Sequence, residues 1–333
     1  MSQNLNSVTL LKIPKDLAAA EHQAVAAHIQ ASDIDGISIG YLGGAWGPEW
    51  DQDTNYDLSF LELYAGISGI EIHLPAVTDL SPLSTIAPNL RFVNLGEFKS
   101  AKVSLASLAG CSKVELLSLN RVKKDFEVVS ELGSITDLYL TGYGPKQIAS
   151  ISRLSSIKNL YLGFGTMADL FEIAGMTSLL NLELMWIKKL HDLEAIKQLA
   201  ALETLKLANL KQVIKLPDLS GLGNFRSLGI DTLNGLESLD GIRRCGLEEL
   251  AVPMQGLVAS STTKTHWMRA VRHVTKKATS KKRWPALTQI HRCVLLRLHN
   301  TFDEIDYVPA RISINGWISK KSTTPLQSAS ASV

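Results

Sequence analysis

The chain has 333 residues, 45% of them hydrophobic and 20% charged, which is ample for a well-buried core and excludes a disordered chain. Only 6% are aromatic, so that core is aliphatic, and the formal net charge of +2 conceals an uneven distribution. Cys111, Cys245 and Cys293 are widely separated, odd in number and form no CxxC pair, which excludes a disulfide framework or zinc ribbon and fits a reducing, cytoplasmic setting.

Residues 1–33 read as an N-terminal cap. "VTLLKI" (8–13) has strand character, and "KDLAAAEHQAVAAHIQ" (15–30) predicts an alanine-rich helix with Asp16 near its start. Glu21, His22 and Gln23 interrupt the apolar run, so no signal peptide is expected there, and no segment has the length of a membrane span.

From Ile34 a single frame recurs, φ-x-x-φ-x-φ, where φ is aliphatic or aromatic. It starts at Ile34, Ile67, Leu90, Val114, Ile135, Ile157, Leu179, Leu202, Phe225 and Leu247. The intervals are 33, 23, 24, 21, 22, 22, 23, 23 and 22 residues. An insertion within "GGAWGPEWDQDTNYD" (43–57) accounts for the long first interval. Between frames the apolar residues recur every three positions, as in "LASLAGCSKV" (105–114), which predicts 3-10 turns or short helices. A strand, a turn and a tight helical return cannot bury their own apolar edge, but stacked copies can.

This pattern resembles the leucine-rich repeat family, whose consensus is L-x-x-L-x-L-x-x-N/C-x-L. The short repeat, about 22 residues, is similar to the internalin-like and phosphatase-regulator-like classes, and the resemblance covers residues 34–253. It implies an α/β solenoid, with a curved parallel sheet on its concave face and helical returns on its convex face. It also implies protein recognition. One departure stands out. The consensus asparagine position holds Phe98, Val122, Tyr143, Gly165, Ile187, Leu210 and Leu233, so apolar stacking is expected where an asparagine ladder would run.

In the frame, φ residues face the core and the residues between them face the opposite, concave surface. One predicted concave row holds Phe92, Leu116, Asp137, Asn159, Asn181 and Thr204. The next holds Asn94, Ser118, Tyr139, Tyr161, Glu183 and Lys206. The third holds Asn120, Thr141, Met185 and Ala208, with Trp186 at the rim. Phe92, Leu116, Tyr139, Tyr161 and Met185 are expected to form an exposed apolar–aromatic band, the composition that interfaces favour. The candidate protein-binding residues are therefore Phe92, Asn94, Leu116, Asn120, Asp137, Tyr139, Asn159, Tyr161, Glu183, Met185, Trp186 and Lys206.

No HExxH, GxSxG, GxGxxG, P-loop lysine or Cys/His cluster with metal spacing occurs, so no catalytic residue, metal or cofactor is expected. Residues 1–253 hold 21 Lys and Arg against 29 Asp and Glu, a net of −8 that favours a partner with a basic patch. Residues 254–333 lose the repeat and hold 13 Lys and Arg against 3 Asp and Glu, a net of +10. This basic extension reads as partly disordered. Two further readings of it are a nucleic-acid or anionic-surface binder and a small catalytic module with Cys293 as its thiol.

Overall fold

The computed structural model describes residues 8–14, 17–40 and 56–251. Most of the insertion expected at 43–57 and all of the basic extension 254–333 lie outside them, so the readings attached to that extension do too.

The described residues form one parallel sheet of eleven strands, each paired with its neighbours in chain order. The strands are β1 (Leu10–Ile13), β2 (Gly36–Gly40), β3 (Gly69–His73), β4 (Phe92–Leu95), β5 (Leu116–Asn120) and β6 (Asp137–Thr141). The series continues with β7 (Asn159–Gly163), β8 (Asn181–Met185), β9 (Thr204–Ala208), β10 (Ser227–Asp231) and β11 (Glu249–Ala251). From β2 onward each strand begins two residues after its frame start, so the fourth and sixth frame positions point inward. In β6, for example, Leu138 and Leu140 are buried while Asp137, Tyr139 and Thr141 alternate outward. Every frame start except Ile34 is buried as well. These columns of aliphatic side chains form one continuous core between the sheet and the returns.

The returns are mostly 3-10 helices, such as Ser81–Thr85, Ala106–Gly110 and Glu194–Gln198, whose i+3 geometry matches the three-residue apolar spacing. One return is α-helical, α2 (Pro145–Ile151), where Pro145 occupies the first turn and its missing N–H costs nothing. Five returns begin with an aspartate whose Oδ1 accepts the backbone N–H two residues on. These are Asp57, Asp79, Asp169, Asp192 and Asp218, at 2.8–3.1 Å. Ser59 and Ser81 also donate their hydroxyls to Asp57 and Asp79.

At the N-terminal end, β1 adds a strand and α1 (Ala19–Gln30) packs its His22, Ala26 and Ile29 inward. The helix starts later than residue 15. Ala18 is extended, and the Glu21 carboxylate accepts its N–H at 2.8 Å, so that contact fixes the first turn at Ala19. His22 stacks on Phe60 at 4.0 Å and shares a 2.8 Å hydrogen bond with the Tyr64 hydroxyl, tying the cap to the first return.

The expected apolar stack replaces the asparagine ladder. Val122, Tyr143, Ile187, Leu210 and Leu233 are buried in the core and Phe98 is partly buried against it, with Gly165 interrupting the series between Tyr143 and Ile187. Tyr143 donates its hydroxyl to the Val122 carbonyl at 2.8 Å, so one backbone acceptor is satisfied from a side chain. No helix among the described residues is long and apolar enough to cross a membrane.

Candidate protein-binding face

Parallel register sets the concave rows. Phe92, Leu116, Asp137, Asn159, Asn181 and Thr204 are successive partners, and so are Asn94, Ser118, Tyr139, Tyr161, Glu183 and Lys206. Asn120 pairs with Thr141, and Met185 with Ala208. All twelve candidate residues thus lie on the concave sheet or its rim, but their environments differ sharply.

Three members of the expected exposed band are covered. Phe92 is 6% exposed, Leu116 2% and Tyr161 8%. The reason for Phe92 and Leu116 is local. Gly69, beside Phe92 in the row, has no side chain, and Leu10 and Val8 from the cap fill the space above it, 2.9 and 3.3 Å from where a Cβ would sit. Phe92 borders that patch, its own Cβ 3.7 Å from the same point, and Leu116 is its partner on the next strand. Tyr161 is covered because it lies across Gly163. A Cβ on that glycine would fall 2.3 Å from the phenol oxygen, and the hydroxyl ends 3.6 Å from the Met185 sulfur. What remains open is narrower. Tyr139 and Met185 are half-buried, with Tyr139 packed on Tyr161 at a centroid distance of 6.1 Å.

Burial, together with the Asp137 and Glu183 charges, pushes the Tyr139 phenol above its ordinary value. Burial, then the Glu183 charge, pushes Tyr161 up to about 12. Both phenols therefore stay protonated at neutral pH.

The polar members are committed to one another. The Glu71 carboxylate accepts hydrogen bonds from Ser38 at 2.6 Å and Asn94 at 2.7 Å and pairs with His73 at 2.8 Å. Burial acts to raise its pKa, but the His73 contact and the Ser38 and Asn94 bonds outweigh it and hold the carboxyl below the usual range. Asp137 accepts from Thr136 and Asn159 at 2.6 Å each, and Asn159 in turn accepts from Asn181 at 2.6 Å. This forms an amide ladder across β6, β7 and β8. Glu183 faces Lys206 at 3.8 Å. Asn120 is partly buried, and its Oδ1 has no hydrogen-bond partner among the described residues.

At the rim, Trp186 is 41% exposed and stacks on Phe164, which is 39% exposed, with 10° between ring planes and 6.2 Å between centroids. The sequence reading included Trp186 and missed Phe164. Both sit seven residues after their frame starts, a position also held by Arg121, Gly142, Asn209 and Thr232. All six have positive φ, from 51° to 80°. In all but Thr232 the left turn lets the N–H reach the end of the next strand, as in Arg121 N–H to Thr141 O at 2.9 Å and Trp186 N–H to Ala208 O at 3.0 Å. Gly142 and Asn209, residue types that tolerate this conformation, were the available signal.

Neither a family model nor a curated protein matches the chain. Solved structures do resemble it. An internalin from Listeria monocytogenes is 18% identical with a TM-score of 0.49, covering 74% of this chain and 67% of its own. The TLR13–ssRNA13 complex gives 15% identity and a TM-score of 0.48 over 73% of this chain and 39% of that one. A leucine-rich repeat protein of Leptospira interrogans gives 15% and 0.40, covering 73% and 78%. Because these scores are below 0.5, the assignment rests on this chain's own register. Ten frames, one parallel sheet in chain order and a tight return after most strands make it a leucine-rich repeat solenoid.

Proposed function

We propose that the chain is a non-enzymatic scaffold that holds a partner protein on its concave face, centred on Tyr139, Tyr161 and Met185 and reaching the rim at Trp186. The observation that carries this reading is a continuous aromatic and thioether surface, part of it open, on a rigid parallel sheet. A preformed sheet loses little entropy on binding, so a few such anchors supply most of an interface's affinity. The carboxylates of the face are already engaged by Ser38, Asn94, His73, Thr136, Asn159 and Lys206. They give no reason for a basic patch on the partner at this face.

The test is affinity capture from the source lysate with the full chain and with a Tyr139→Ala/Met185→Ala variant, followed by titration of the captured protein. Tyr161 stays unchanged because it is buried, so removing it would probe folding. A partner bound by the parent and lost at least tenfold by the variant supports the reading. Equal binding by both proteins places the partner elsewhere.

A further inference from the structure

We infer that the Phe164–Trp186 rim is a docking site for an acidic segment of a partner protein, one carrying an apolar or aromatic side chain among its carboxylates. The inference rests on the protein-binding reading above and specifies the chemistry at the edge of that face.

Two turns of the chain can be compared directly. After β5, Arg121 and Asp125 both adopt positive φ, 58° each, and after β8 Trp186 and Lys189 do the same, at 53° and 67°. A left-handed residue other than glycine costs roughly 1–2 kcal/mol. In the first turn both residues have internal uses. Arg121 pairs with Glu97, and Asp125 accepts the Ser104 hydroxyl. In the second, Trp186 is stacked only on the equally exposed Phe164, and Lys189 is exposed with no ion-pair partner among the described residues. The left-handed backbone at Trp186 serves the repeat, since its N–H donates to Ala208 O at 3.0 Å, but the indole and the Lys189 side chain are left exposed on the turn.

The surroundings give the sign of the charge. Lys188 is exposed and lies beside Thr166, two residues past Phe164, through an isolated parallel bridge. Its backbone N–H is anchored to Gly165 O at 2.9 Å. Lys211, in the matching turn of the next repeat, is exposed as well, and neither lysine has an ion-pair partner among the described residues. Two near-parallel exposed rings, with exposed lysines in the same turn and in the matching turn of the next repeat that form no ion pair among the described residues, fit an anionic chain with an apolar anchor. A peptide supplies both in adjacent residues, with the anchor on the rings and carboxylates toward Lys188, Lys189 and Lys211.

The experiment is fluorescence anisotropy on the full chain with four labelled probes. Three are 15-residue peptides in which phenylalanine is spaced by Asp/Glu, by Gln/Asn or by Lys/Arg, and the fourth is a 15-nucleotide oligouridylate. The variants are Phe164→Ala/Trp186→Ala and Lys188→Gln/Lys189→Gln, each checked for the parent's circular dichroism and thermal midpoint. The expected result is at least tenfold tighter binding of the acidic peptide than of the neutral one. Either variant should weaken it about tenfold, and the lysine variant should also flatten its salt dependence. Preference for the basic or neutral peptide, tighter binding of oligouridylate, or acidic binding unchanged in both variants overturns the inference. Capture of a partner through Tyr139 and Met185 without acidic-peptide binding refutes this inference alone. Acidic-peptide binding at the rim with capture unaffected by Tyr139→Ala/Met185→Ala refutes the concave-face reading alone.

Discussion

The residue that ends each strand's turn decides more than the strand itself shows. Six repeats place a left-handed residue there, and only one of the six is glycine. Thr232 is the least suited, since its branched Cβ crowds the backbone at a φ of 51°. Thr232→Gly relieves that conformation at some entropic cost to the folded state, and should stabilise the protein by about 0.5–1 kcal/mol, read from denaturant midpoints at unchanged slope. The pairing of Tyr139 with Tyr161 was legible in the sequence because a fixed period fixes register. The burial of Tyr161 was not. It depends on a phenol folding back over a glycine two residues later and onto a methionine of the next strand, a sideways contact that strand alternation does not encode. Phe164 escaped for the same kind of reason, because its position lies beyond the strand and its exposure follows from backbone sign.

At the scale of the element, five returns begin where an aspartate folds over its own chain. In the sequence the motif is Asp-Leu before each of those five, but its meaning lies in a hydrogen bond rather than in hydrophobic period. Asp79→Ala removes the acceptor for the Ser81 N–H, at 2.8 Å, and for its hydroxyl, and should cost about 1 kcal/mol in chemical unfolding. Asp79→Asn should recover part of the loss. Hydrogen bonds from the Ser81 side chain, then its backbone, hold the Asp79 carboxyl below its ordinary value, so this contribution is lost only as pH falls below the carboxylate range. The cap behaves differently. Burial lowers the His22 pKa from 6.5, with the Glu21 charge opposing, so the folded state prefers the neutral imidazole. The unfolded chain then binds the proton first. Stability is full above about pH 6.5 and falls as pH drops through the lowered value, a window above that of the aspartates. Thermal midpoints between pH 8 and 5 should show this slope in the parent. It should be reduced in His22→Gln, which keeps a partner for Tyr64.

For the whole molecule, the ordering of strands as a line makes stability positional. Each repeat contacts its two neighbours, so an interior repeat is held on both sides and an end repeat on one. The two ends of the described chain are unlike. At one, α1 closes over the first return through His22, Phe60 and Tyr64, and Leu10 lies over Gly69. At the other, β11 has three residues, with Glu249 and Ala251 exposed and Leu250 half-buried. Local opening should therefore run from β11 inward, since opening free energy rises with the number of packed neighbours that must be released. Hydrogen exchange on the full chain, read by mass spectrometry, should find the strand amides of β5 to β8 slowest, those of β1 and β2 intermediate and those of β11 fastest. Protection of β11 equal to that of β7 would mean that chain beyond residue 251 packs on the last repeat. Deleting residues 254–333 would then speed exchange at β11 while leaving β7 unchanged. If β11 is instead fast with and without that segment, the solenoid ends open, and its stability is the sum of its internal interfaces.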